Sequence, residues 1–147
     1  MSIHVNLATA VVARIEAAAF AVNLSPQRVY DPYVPIAEMG SSVYTLVAPV
    51  GRHPPENPED LAAIGRAKQV RYYDVDVAVT QRTAALGQID ALTETLEQIT
   101  ALFDRQELAI DSAQARCTAV TEMLCDRDKL DDGQVLSLAR LTFQVIL

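Results

Sequence analysis

The sequence predicts an α+β fold, a small and mostly antiparallel sheet packed on an N-terminal helix and one main amphipathic helix. Three observations carry that expectation. From Val70 to Thr83 the residues alternate: Tyr73, Val75, Val77 and Val79 fall on one side of an extended chain, and Tyr72, Asp74, Asp76 and Thr80 on the other. This is the period-two pattern of a strand with one buried and one wet face. From Gln88 to Arg105 the residues Ile89, Leu92, Leu96, Ile99 and Phe103 recur at three and four, with Leu102 beside them, while Asp90, Glu94, Glu97 and Asp104 face elsewhere. A stripe of that width normally packs a helix on a sheet. Near the C-terminus Val135, Ala139, Leu141, Phe143, Val145 and Leu147 share one face, and Arg140, Thr142 and Gln144 the other, so the chain ends in a second alternating strand.

The remaining elements follow in order. A first helix is expected from Asn6 or Leu7 to Phe20, with Leu7, Val11, Ile15 and Ala19 one turn apart. Asn6 is its expected cap, because a short polar side chain can accept from an orphan backbone N–H. Asn23, Ser25 and Pro26 end that helix. Gln27–Ala37 carries Val29, Tyr30, Tyr33, Val34 and Ile36 but also Pro32 and Pro35, so it reads as an irregular or edge strand. Ser42–Val50 is a cleaner strand. The Pro-rich, charged stretch at about 51–68 reads as an extended loop, with Asn57-Pro58-Glu59-Asp60 as a short helix start. Loops of this length are used disproportionately for binding, which makes it a candidate interaction arm. Glu107–Glu122 fits either strand or helix. Asp126–Gly133 is a turn-rich charged loop.

Composition sets the outer bounds. A chain of 147 residues, half of them hydrophobic, forms one domain over 1–147 and needs no staples. No apolar stretch approaches the roughly 18–20 residues that cross a bilayer, and the N-terminus lacks a signal-peptide pattern. Cys117 and Cys125 match neither zinc spacing nor a redox CxxC, so two reduced thiols are expected. The net charge of −7 argues against binding nucleic acid by phosphate neutralisation. It suits a surface past which DNA slides without sticking.

Candidate chemistry is sparse. His4 and His53 lack the spacing of a helical metal site. DRDKLDDG resembles a calcium loop, but counting from Asp128 the twelfth position is Ala139, where a bidentate Glu is required. No phosphate-binding, dinucleotide or nucleophile-elbow motif occurs. Asp74 and Asp76, about 7 Å apart on one strand face, have the spacing of an acid–base carboxylate pair; no pocket signal accompanies them, and a solvated strand face is the default. Tyr30, Tyr33, Tyr44, Tyr72 and Tyr73 lack interleaved cations for base stacking beyond Lys68 and Arg71. The expectation is a non-enzymatic protein with no metal and no cofactor.

The C-terminal stretch Asp128–Val145, DKLDDGQVLSLARLTFQV, resembles the closing segment of the tail terminator and tail-completion proteins of the head–tail neck in long-tailed bacteriophages. The order of elements is also similar over most of the chain, apart from His53–Pro58 and Glu107–Glu122. The resemblance implies a structural virion protein that closes into a homo-oligomeric ring, usually a hexamer. Such a ring caps the head-proximal end of the tail tube, ends tube polymerisation and offers a docking surface to the head–tail connector or stopper. It implies as partners the chain itself, the tail tube protein and the connector, with double-stranded DNA passing unread through the lumen. It places the protein in the virion tail or neck, after assembly in the host cytoplasm, with no membrane. Ring closure would be geometric, one heterologous interface repeated around an axis. Within that reading, the loop residues Arg52, His53, Glu56 and Arg66 are candidate intersubunit or tube contacts. The face bearing Asp74 and Asp76 is a lumen or interface candidate. Alternatives are another head-completion or neck ring protein, a small acidic enzyme with a site between subunits, and a small acidic binding module.

Overall fold

A computed structural model of the chain describes residues 2–54, 70–82, 85–111 and 113–146. Its elements are α1 (Ile3–Ala17), β1 (Pro26–Arg28), a short 3-10 turn (Ile36–Glu38), β2 (Tyr44–His53), β3 (Val70–Arg82), α2 (Leu86–Phe103), β4 (Glu107–Ile110), β5 (Ala113–Met123), α3 (Arg127–Asp131) and β6 (Gln134–Ile146). The strands form one sheet in the order β1-β2-β3-β6-β5-β4. β1 runs parallel to β2 and every other pairing is antiparallel. The α+β class expected from the sequence is the class observed.

The two alternating segments make the spine. β3 and β6 pair along their whole lengths, from Val70 opposite Ile146 to Arg82 opposite Gln134. That register puts Tyr73, Val75, Val77 and Val79 beside Phe143, Leu141, Ala139 and Ser137 on one face. Val47 and Thr45 of β2 join the same face. α1 contributes Leu7, Val11 and Ile15 to it, and α2 contributes Leu92, Leu96, Ile99 and Phe103. Phe103 meets Phe143 edge-on with ring centroids 6.4 Å apart, the arrangement in which a positive ring edge addresses a negative ring face. The sheet curls around α1, which contacts β1 and β2 near one edge and β4 at the other. Arg14 of α1 donates to the Glu107 carbonyl on β4 at 3.1 Å, so a helix side chain caps part of that edge.

Local chemistry accounts for where the elements differ from expectation. α1 begins at Ile3, because the Ser2 side chain accepts from the Val5 N–H; Asn6 lies inside the helix, and its own N–H donates to the Ser2 carbonyl. The helix stops at Ala17, before Ala19 and Phe20. β1, Pro26–Arg28, keeps only Gln27 and Arg28 of the expected extended segment, on a sheet edge where the prolines of that stretch remove no central ladder bond. β2 runs on through Gly51, Arg52 and His53, past a register shift between Pro49 and Gly51. The beginning of the stretch read as a loop is therefore strand, the bulge absorbing the break that Pro49 introduces. The rest of that stretch, including Glu56, the Asn57–Asp60 helix start and Arg66, lies outside the described residues.

Glu107–Glu122, left open between helix and strand, is the β4–β5 hairpin. Arg105 at φ 59 turns the chain out of α2, and the Arg105 N–H then donates to the Cys117 carbonyl. In the charged loop before β6, Asp126 caps α3 by accepting from the N–H groups of Asp128 and Lys129. Gly133, at φ +81, makes the turn into β6, a conformation that costs glycine little.

Candidate functional site

The second face of the sheet, opposite the helices, is where the structure departs most from the sequence. Tyr72, Asp76 and Thr80, expected to be wet, are buried, and Asp74 is partly buried. Two different covers explain this. At one end the chain between β1 and β2 folds over the sheet, and Val29, Val34 and Tyr44 pack on Leu46, Ala78 and Leu136. Gln134 fastens that segment, its amide donating to the Val34 carbonyl and to the Thr80 hydroxyl, both at 3.0 Å. The hydroxyl in turn donates to the Val135 carbonyl at 2.8 Å. At the other end the side chains of neighbouring strands cover one another.

There the antiparallel register builds a polar ladder. Asp76 sits opposite Arg140, Asp74 opposite Thr142 and Tyr72 opposite Gln144. Arg140 donates to Asp76 through Nε at 2.8 Å and through a terminal nitrogen at 3.1 Å, a bidentate bond. Donating to the Asp76 carboxylate holds the Arg140 guanidinium above its ordinary pKa. Asp76 is only 6% exposed; a carboxylate that dry needs such a partner. Asp74 accepts from the Thr142 hydroxyl at 2.7 Å. His53, at the end of β2, lies 3.2 Å from the same carboxylate through Nε2 and stacks on Tyr72 with centroids 5.8 Å apart. Gln144 donates to the Tyr72 hydroxyl at 3.1 Å.

This arrangement redefines the candidate residues. The carboxylates do share a face, but each is already engaged, Asp76 by a guanidinium and Asp74 by a hydroxyl and an imidazole. Neither is the solvated carboxylate expected from the alternation, and an acid–base pair needs a group free to exchange its proton with a substrate. His53 joins them, although its place in the Pro-rich stretch suggested an interaction arm. Arg52 falls on the opposite face by register and is exposed. Glu56 and Arg66 lie outside the described residues. The tyrosines do not form one cluster: Tyr73 is in the core, Tyr44 accepts from the Gly40 N–H at 3.0 Å, and Tyr30 and Tyr33 are exposed. Arg140, Thr142 and Gln144 were visible in sequence as one face of the last strand, but nothing assigned them to Asp74 and Asp76. The signal was present, since one antiparallel register matches each of these three donors on β6 to an acceptor on β3.

Other chemistry is limited among the described residues. No group of three or more His, Cys, Asp or Glu side chains converges to hold a metal ion. Cys117 and Cys125 are both free thiols. Burial pushes the Cys117 thiol up to about 11, which suppresses the thiolate that nucleophilic chemistry requires. A cleft of about 260 Å³ lies between Asn23–Gln27 and Ser42–Leu46 and shares no residue with the polar ladder.

No protein-family model matches the chain, and no curated protein matches it. The architecture has a counterpart among solved structures. Its fold is that of a chain from a virion. The match is to a chain in the virion of a native gene transfer agent (GTA) particle, with a TM-score of 0.52, 12% identity, and coverage of 98% of this chain and 96% of that one. A second solved chain is 15% identical with a TM-score of 0.48, covering 97% of this chain and 92% of its own length. At these identities the likeness is one of fold.

Proposed function

We propose that this protein is a structural subunit of a phage-like particle. In that role it forms a ring, a homohexamer on the resemblance of its C-terminal stretch, at the head-proximal end of the tail tube. The ring ends tube polymerisation and presents a docking surface to the head connector, with DNA passing through its lumen. The observation that carries the reading is the end-to-end fold match with a virion chain, 98% of one covered by 96% of the other.

The sheet edges support assembly through side-chain surfaces. Among the described residues, β1 covers Thr45–Val47 of β2, and β4 covers Ala113–Arg116 of β5. The uncovered part of β2 contains Pro49 and a register shift, and that of β5 begins at another shift between Cys117 and Ala119. Prolines and bulges of this kind blunt an edge against pairing with other chains. Such a subunit stays monomeric until a template aligns it. The exposed apolar side chains Leu86 (73%), Tyr30 (70%) and Leu124 (44%) are then better contact candidates than Asp74 or Asp76, while Arg52 remains one.

The test is assembly. Size-exclusion chromatography with light scattering should show a monomer alone and a defined multimer with purified tail tubes. Particles made without the protein should carry tails of irregular length. A protein that stays monomeric with tubes, or tails of normal length in its absence, overturns the reading.

A further inference from the structure

We propose that residues 29–42, in the chain between β1 and β2, form a strap that lifts from the sheet as one body while the helix-face core stays shut. The strap rests on a cluster of its own. Its Val29 and Val34, with Tyr44 of β2, pack on Leu46, Ala78 and Leu136, and none of these six belongs to the large cluster that α1 and α2 build on the opposite face. Within the strap Pro32 and Met39 are buried, whereas Tyr30, Tyr33, Ala37 and Glu38 are exposed. A small apolar area therefore holds it down, which is the signature of a segment with low local stability.

The hydrogen bonds of the strap sort into two sets. One set is internal. The Tyr33 N–H donates to the Asp31 carboxylate at 3.0 Å, the Glu38 N–H to the Pro35 carbonyl at 2.9 Å and the Met39 N–H to the Ile36 carbonyl at 3.2 Å. The first is an Asx turn and the others close a 3-10 turn. With the fixed φ of Pro32 and Pro35, they preserve the strap's shape whether or not it touches the sheet. The second set attaches it. The Gln134 side-chain amide donates to the Val34 carbonyl at 3.0 Å, the Gln81 amide to the Ser41 carbonyl at 3.2 Å, and the Gly40 N–H to the Tyr44 hydroxyl at 3.0 Å. Past the Val29 N–H, which donates to the Val47 carbonyl, no strap residue joins a strand ladder among the described residues.

Lifting breaks the attaching set and leaves the rest of the fold in place. The pairings of β3 with β2 and with β6 use no strap residue. β1 anchors the near end through its pairing with β2, and Val43, packed against the helix-face cluster, anchors the far end. The lifted strap uncovers Leu46, Ala78 and Leu136, which are at most 3% exposed when it is down. They form an apolar strip across β2, β3 and β6 that continues into the half-buried Leu138. The device exchanges an outer surface carrying Tyr30 and Tyr33 for an apolar one without unfolding the sheet.

Native-state hydrogen exchange of the full chain in low denaturant tests the proposal. The Gly40 amide and the Gln134 side-chain amide should share one opening free energy, lower than that of the β3 amides and with a shallower denaturant slope, because less surface is exposed. Two conservative variants separate lifting from unfolding. Ile99→Val weakens the helix-face core in the shut and the lifted molecule alike. It should speed β3 exchange by about two- to tenfold while Gly40 and Gln134 keep their rates. Val34→Ala weakens the shut molecule alone, and should speed Gly40 and Gln134 by about three- to tenfold. The proposal is overturned if the two reporters follow the β3 slope or open separately, or if the Gly40 amide is unprotected. It is overturned equally if Ile99→Val speeds both reporters with β3, or if Val34→Ala leaves them unchanged. Tail assembly is not among the readouts, so this result is independent of the ring reading.

Discussion

The two faces of one sheet are built from the same strands and held by different physics. The helix face is dry and apolar: Val77, Leu141, Phe143, Leu96 and Ile99 are fully buried, and their contribution is proportional to area and indifferent to partner identity. The second face is nearly as covered at β3, yet at one end its members are Asp74, Asp76, Arg140, Thr142 and Tyr72, joined by directional bonds. Burial on the first face needs only shape. On the second it needs each donor to meet its acceptor, so register, and not hydrophobicity, is what the ladder specifies.

The largest expected break is on the helix face. Phe143→Ala removes a fully buried ring that packs edge-on against Phe103 and should cost about 3–5 kcal/mol, seen as a lower urea midpoint with an unchanged slope. On the second face, Arg140→Met strands the Asp76 carboxylate. With the Arg140 side chain 46% exposed, the loss should fall at the low end for such pairs, about 2–3 kcal/mol. Adding Asp76→Leu should recover most of it, and a double-mutant cycle on urea midpoints measures the coupling. A cycle with no coupling would remove the distinction between the faces. The smallest effect has the opposite sign. Thr45 is fully buried on the helix face, and its hydroxyl has no hydrogen-bond partner among the described residues. Thr45→Val should therefore stabilise the protein by about 1 kcal/mol, read as a raised thermal midpoint. The same change at Thr80, whose hydroxyl serves Val135 and Gln134, should destabilise it.

Much of this architecture was legible because periodicity reports which residues share a face. The alternation of Val70–Thr83, the stripe of Gln88–Arg105 and the final strand each gave the right element within a few residues. Ends were less legible because they depend on single contacts. Ser2 rather than Asn6 caps α1, and a bulge carries β2 past Pro49. Glu107–Glu122 could not be assigned because its Ala, Thr and Gln content fits either state, and β6 supplies the pairing that makes it strand.

For the candidate site, the sequence by itself determined that Asp74 and Asp76 share one side of a strand and that Arg140, Thr142 and Gln144 share one side of another. Backbone geometry enforces that much locally. Only the tertiary structure decided that those sides are the same face, that the face is covered, and that His53 closes onto it. Pairing register and sheet curvature join residues more than sixty positions apart, and a strand's own pattern says which way its side chains point without saying what they will meet.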